Sequence, residues 1–298
     1  MITYLASLFA RLPMPFVHAL GIGLGWAAYA LAPSYRKRLR ENLAASRIAE
    51  NPAQLDVLIR ANVAESGKAI LELPFVWLRP TSELLVTVIE TDGWPEVQTA
   101  RGEGKGLIML TPHLGSFELI GRYLAAQFPI TVLYRPPKLS WLEPIMRAGR
   151  ERDQAQLATT GVGGVRTLLK ALKRGEALGI LPDQAPGAGD GVWADFFNRP
   201  AYTMTLIRRL QQRSGAPIIA MYAERLSKGR GFSLHFTRIL EPLAEEDAAA
   251  ARQMNRAMED LIRNCPSQYL WSYNRYKAPS GARAPDSATP PGETSSLS

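Results

Sequence analysis

The chain predicts an α/β fold: a single domain with a mainly parallel central sheet flanked by helices, preceded by an apolar membrane-anchoring helix. Three observations carry this. Short apolar runs of strand length alternate with longer segments whose apolar residues recur every three or four positions. At 298 residues and 46% hydrophobic content the chain can bury a sizeable core. And no charged residue occurs between Leu12 and Tyr35.

That uncharged stretch comes first. Residues Phe16 to Ala32 form an apolar run that as a helix would span about 25 Å, slightly short of a hydrocarbon layer of about 30 Å. Arg11 precedes it and Arg36-Lys37-Arg38-Leu39-Arg40 follow, so the heavier positive flank assigns the body of the protein to the cytoplasmic side. Three readings fit: a cleaved signal peptide ending near Ala30-Leu31-Ala32, a helix packed on the protein's own core, or a membrane anchor that spans or lies in the interface. The basic cluster disfavours export, and membrane association is the preferred reading.

Helical patterns then cover Arg36–Arg47 and Ala53–Leu78. Strand-like runs follow at Leu84–Thr91, Gly106–Thr111, Ile130–Tyr134, Ala177–Leu181, Pro217–Tyr222 and Phe232–Leu240. Between them lie helical patterns at Ser116–Gln127, Leu139–Asp153, Val162–Arg174, Tyr202–Ser214 and Glu245–Arg263. From Pro279 to Ser298 the composition is that of a disordered tail. The expected organisation is a membrane-associated segment over 1–35, a catalytic domain over 36–278 and a tail over 279–298.

Composition narrows the chemistry. One cysteine, Cys265, excludes an internal disulfide and a cysteine metal cage, and three scattered histidines argue against zinc. No metal and no cofactor are expected. A net charge of +8 favours anionic partners, but no nucleic-acid-binding motif is present, so nucleic acid is not expected.

His113 stands out in Thr111-Pro112-His113-Leu114-Gly115-Ser116-Phe117-Glu118. It falls at the carboxyl end of a strand, where α/β folds bind ligands. Five residues along a continuous helix would set His113 and Glu118 about 140° apart. With the histidine in the turn and the glutamate in the first helical turn, Glu118 could reach back and fix the imidazole. A capped helix whose Glu118 favours the dipole explains the pair as well. Further segments share this sheet edge: Tyr134-Arg135-Pro136-Pro137-Lys138, the arginines 147, 150 and 152, the glycine-rich turn leading to Arg166, Leu181-Pro182-Asp183-Gln184, and Asp195 to Thr203.

In that order the segments resemble the lysophospholipid acyltransferase superfamily, and within it the lipid A late (lauroyl/myristoyl-type) acyltransferases, over most of the chain. A histidine, four residues and an acid match His113 and Glu118; the glutamate, where glycerolipid acyltransferases usually carry aspartate, points to the lipid A branch. Arg150 matches the family's functional arginine, Asp183 the acid of its Asp-Gln or Asp-His block, Phe196–Ala201 the Phe-Phe-x-x-Pro-Ala segment and Tyr269–Trp271 the terminal block. Where that block often continues Trp-x-His-x-Arg, this chain has Trp271-Ser272-Tyr273-Asn274-Arg275, so any role of a second histidine is absent or changed.

The resemblance implies an O-acyltransferase of the inner membrane, its catalytic domain facing the cytoplasm. The donor would be a fatty acyl thioester on acyl carrier protein or coenzyme A, and the acceptor a hydroxyl of a phosphorylated lipid A precursor. His113 would be the general base and Glu118 its orienting acid; Arg135, Lys138 and Arg150 would bind phosphate or polarise the carbonyl, with Asp183 organising them. The basic surface would meet anionic membrane lipid or the acidic carrier, through Arg36–Arg40 or Arg208–Arg213. A glycerolipid or other glycolipid acyltransferase, a hydrolase using His113 with Asp183, and a non-catalytic membrane lipid-binding protein remain as alternatives.

Overall fold

The computed structural model describes residues 9–137 and 139–282. Lys138 and most of the expected tail lie outside the described residues. Among the described residues, three long helices come first: α1 (Met14–Leu31), α2 (Pro33–Ser46) and α3 (Pro52–Leu78). Prolines in the first turns of all three lose no internal hydrogen bond there, and the Asn51 side chain caps α3 by accepting from the Gln54 N–H at 2.9 Å.

The apolar helix is not a free span. It runs along α3 at backbone contact distance: a methyl group added at Gly67 would meet the Gly21 carbonyl oxygen, and one at Gly25 the Val63 carbonyl oxygen. His18 on its inner face donates from Nε2 to the Glu72 carboxylate of α3 at 2.6 Å. Glu72 in turn pairs through both carboxylate oxygens with the buried Arg225 guanidinium, which also reaches Glu65 at 2.9 Å. Phe16, Leu20, Leu24 and Leu31 remain exposed on the outer face. By length and composition α1 is still a candidate membrane helix.

A short helix, α4 (Thr81–Leu85), leads to β1 (Val88–Asp92) and α5 (Trp94–Gly102). The alternation continues with β2 (Leu107–Leu110), α6 (Phe117–Gln127), β3 (Ile130–Tyr134), α7 (Glu143–Arg150), β4 (Ala155–Thr159), α8 (Val162–Lys173) and β5 (Ala177–Ile180). A hairpin of β6 (Gly191–Phe196) and β7 (Arg199–Met204) intervenes before α9 (Leu206–Ser214), β8 (Ile218–Arg225), β9 (Phe232–Ile239) and α10 (Asp247–Asn264).

Seven strands form one sheet in the order β1-β9-β8-β2-β5-β3-β4. All neighbours are parallel except β8 and β9. The central strands β2 (Leu-Ile-Met-Leu) and β5 (Ala-Leu-Gly-Ile) are buried at every position, as a parallel sheet covered on both faces requires. Val97, Ile120 and Leu124 from α5 and α6 cover one face; Leu168, Leu210 and Met254 from α8, α9 and α10 cover the other.

Several expected boundaries shift. The Leu84–Thr91 run divides between α4 and β1, because the α4 turn closes onto Pro80 before the chain extends. The helix expected from Tyr202 begins at Leu206: Phe197 and Asn198, both at positive φ, make a two-residue turn that pairs Phe196 with Arg199 and draws Arg199–Met204 into the hairpin.

Candidate active site

Register alone brings two of the expected site residues together. Leu110 of β2 pairs with Ile180 of β5 in parallel, and both chains then leave the sheet in step. Three residues on, His113 stands beside Asp183. The Asp183 carboxylate accepts the His113 backbone N–H at 2.9 Å through one oxygen, and lies 2.8 Å from Nδ1 through the other. The Gln184 amide nitrogen sits 3.1 Å from His113 Nε2. The ring is held at both nitrogens, with Nδ1 the protonated one and Nε2 the acceptor.

The turn carrying His113 is fixed by glycine. Gly115 has φ +61°, and a Cβ there would come within 1.9 Å of the Ala223 carbonyl oxygen on β8. Only an unbranched backbone fits. Gly115 and Ser116 donate their N–H groups to Gln268 and Ala223, while His113 accepts from Leu270. Ser116 occupies the cap position of α6 without a side-chain cap bond.

Glu118 does not reach His113. From the first turn of α6 it points toward α3 and α7, where Trp77 Nε1 donates to it at 3.0 Å and the Arg150 guanidinium grips it through Nε and Nη2. The expectation that Glu118 orients the histidine is therefore corrected in its geometry: the neighbouring strand supplies that acid, and the helix aims its own acid elsewhere. Asp183 likewise holds His113 rather than an arginine cluster.

Both acids are ionised by their surroundings. Burial alone would raise the Asp183 carboxyl, but His113, through its charge when protonated and its two hydrogen bonds, and the nearby Arg275 hold it below its usual value. Burial also opposes the Glu118 charge, and there Arg150, with the Trp77 hydrogen bond, brings the group below its usual value. Close packing sets this pair: Gly149, one residue before Arg150, lies against Trp77 so tightly that an added Cβ would come within 2.4 Å of the Trp77 Cβ and 2.6 Å of its ring.

One cavity of about 820 Å³ opens on these groups, lined by His113, Phe117, Glu118, Arg135 and Arg150. Its lining also includes the apolar residues Ile120, Ile130, Val132 and Met221, from α6, β3 and β8. Arg135 is exposed at the cavity wall. Among the described residues, no group of three or more His, Cys, Asp or Glu could hold a metal ion.

Of the supporting residues, Trp77, Asn42 and Asn62 carry no signal in the sequence, and Tyr273 and Arg275 are visible there only as members of the terminal block. Trp77 is 41 positions from the glutamate it binds, and no local pattern signals it. The C-terminal segment is tied to α2 and α3 by Asn42 and Asn62, whose amides donate to the carbonyls of Trp271 and Tyr269 at 2.7 and 2.8 Å. Arg275 is buried and donates to the Tyr202 carbonyl and Thr203 hydroxyl, both at 2.7 Å. Tyr273, which stands in place of the histidine of the Trp-x-His-x-Arg block, accepts the Ala185 N–H at 3.2 Å and so braces the loop that carries Asp183.

Comparison with known proteins places this arrangement. The chain is 28% identical over 273 residues to the lipid A biosynthesis palmitoleoyltransferase of Escherichia coli (strain K12), covering 91% of this chain and 88% of that protein. It is 26% identical over 276 residues to the lipid A biosynthesis lauroyltransferase of the same organism, with 91% and 88% covered. It is 21% identical over 264 residues to the lipid A biosynthesis myristoyltransferase, with 88% and 81% covered. The bacterial lipid A biosynthesis acyltransferase family model matches residues 2–278, and the chain belongs to that family.

Proposed function

We propose that this protein transfers a fatty acyl chain from a thioester, on acyl carrier protein or coenzyme A, to a hydroxyl of a phosphorylated lipid A precursor. The observation that carries this reading is the His113–Asp183 pair, with His113 lining a cavity whose lining includes many apolar residues. Asp183 keeps the proton on Nδ1 and favours the imidazolium that forms in the reaction. The acceptor hydroxyl takes the place of the Gln184 amide at Nε2. As its oxygen attacks the thioester carbonyl, Nε2 removes its proton; the new carbon–oxygen bond forms, the carbon–sulfur bond breaks, and the departing sulfur receives the proton from His113. No covalent acyl-enzyme is needed.

Glu118 serves here as a positioning residue for Arg150. With Nε and Nη2 engaged by Glu118, Arg150 keeps Nη1 for substrate at the cavity wall. A guanidinium fixed in this way can stabilise the developing oxyanion or a phosphate without reorganising. Arg135 and Lys138 are assigned to substrate binding on the same reading.

The protein is placed at the cytoplasmic face of the inner membrane, with residues 1–35 as the membrane-associated segment and 36–278 as the transferase domain. The exposed stripe of Phe16, Leu20, Leu24 and Leu31 supports an α1 that lies in the lipid interface. Its inner face is committed to α3 through the glycine contacts and the His18–Glu72 bond. Assay of purified protein with acyl carrier thioester and lipid A precursor tests the function: one added acyl mass on the lipid is expected, whereas release of free fatty acid alone would indicate a hydrolase.

A further inference from the structure

Three arginines of this cavity are left without work by the chemistry above. Arg166 of α8, and Arg209 and Arg213 of α9, all line it, and among the described residues their guanidinium groups have no hydrogen-bond or ion-pair partner. Their placement follows from helical spacing. On α8 the lining residues are Val162, Val165, Arg166 and Leu169; on α9 they are Leu206, Arg209, Leu210 and Arg213. Each set is one helical stripe, and each mixes cations with apolar side chains. The neighbouring Arg208 points away and is paired with Asp247 and Gln212. One acid, Asp190, shares this part of the lining, against three arginines and the nearby Arg135. The wall therefore carries an excess of positive charge that no hydrogen-bond or ion-pair partner among the described residues neutralises.

We propose that Arg166, Arg209 and Arg213 form the binding site for a phosphate monoester of the glycolipid acceptor, with the apolar residues between them receiving its acyl chains. This rests on the acyltransferase reading above. Guanidinium forks match phosphate oxygens through paired hydrogen bonds. An amphiphile that carries both phosphate and hydrocarbon fits a stripe that alternates the two chemistries. The sequence grouped Arg208–Arg213 as one basic surface for a carrier or membrane; the structure divides that group, turning Arg209 and Arg213 into the cavity.

The test compares wild type with Arg166→Gln, Arg209→Gln, Arg213→Gln and the Arg209→Gln/Arg213→Gln pair. Two probes are used, a phosphorylated lipid A precursor and the same lipid after phosphatase treatment, with direct lipid binding and steady-state transfer both measured. Each single change should weaken binding of the phosphorylated probe about tenfold, as for loss of one charge-assisted hydrogen bond, and raise its KM with the donor KM unchanged. The pair should abolish the preference for the phosphorylated probe, and Arg213→Lys should retain part of it. Variants that keep the full preference, or that raise the donor KM instead, would overturn the proposal. Phosphate-dependent binding without acyl transfer by wild type would leave this site standing and remove the acyltransferase reading, so the two failures are distinct.

Discussion

Exchanging Asp183 for Asn preserves the volume behind His113 but removes the charge that stabilises an imidazolium and fixes the Nδ1 proton. Transfer should fall by roughly 10²- to 10⁴-fold in kcat, the scale of general-base assistance, with little change in KM. Combining Asp183→Asn with His113→Ala should add almost nothing to the loss from His113→Ala alone, because the two act as one unit. Glu118→Gln should behave differently: it loosens Arg150, so its effect should appear in substrate KM as well as kcat. Steady-state kinetics on the four variants separate these outcomes, and equal kcat losses for the two acids would contradict the division of roles. Acid titration reads the same carboxylates through stability. Asp183, Glu118 and Glu72 all lie below their usual values in the folded protein, Glu72 because Arg225 and His18 outweigh its burial. Their stabilisation is thus complete above an unfolded value of about 4 and lost as pH falls through the lower folded values. Glu72→Gln should cost about 3–5 kcal/mol at pH 7, the scale of breaking a buried ion pair. Its Tm should then fall less steeply than that of wild type below about pH 4. Parallel pH–Tm curves would rule this out.

Two elements fix the site from outside it. The α7 helix carries Arg150 and meets Trp77 of α3 through Gly149, so Gly149→Val must push α7 away from Glu118. Such overpacking costs about 1–3 kcal/mol, and loss of activity beyond the fraction unfolded is the expected signature. The α1 helix shows why an apolar run is ambiguous in sequence. Its 18 residues satisfy the length and hydropathy of a span, yet Val17, Gly21 and Gly25 pack on α3 while Phe16, Leu20 and Leu24 face outward. The sequence admits both membrane association and core packing, and in the structure the inner face is packed. The interface reading is tested by Leu20→Asp/Leu24→Asp: flotation with anionic vesicles should be lost with Tm held within a few degrees. Retained flotation would place the membrane contact elsewhere.

At the scale of the whole molecule, periodicity and strand-like runs were enough to anticipate the parallel sheet and to put His113, Asp183, Arg135 and Arg150 at one edge. What they could not supply was the strand order. The insertion of β5 between β2 and β3 sets Asp183, seventy positions away in the chain, against His113 in place of the nearby Glu118. The β6–β7 hairpin is not legible in the sequence for a similar reason: a turn of Phe197 and Asn198 without glycine gives no strong local signal. Gln184 and Arg275 stand in motif segments visible in the sequence, but their partners, like the Trp77 contact, are set by tertiary structure that no spacing records. The most direct measurement is mass spectrometry of a lipid A precursor after incubation with an acyl carrier thioester and either wild-type protein or His113→Ala of unchanged Tm. Wild type should add one acyl mass and His113→Ala none; an undiminished acyl mass with His113→Ala would contradict the central assignment.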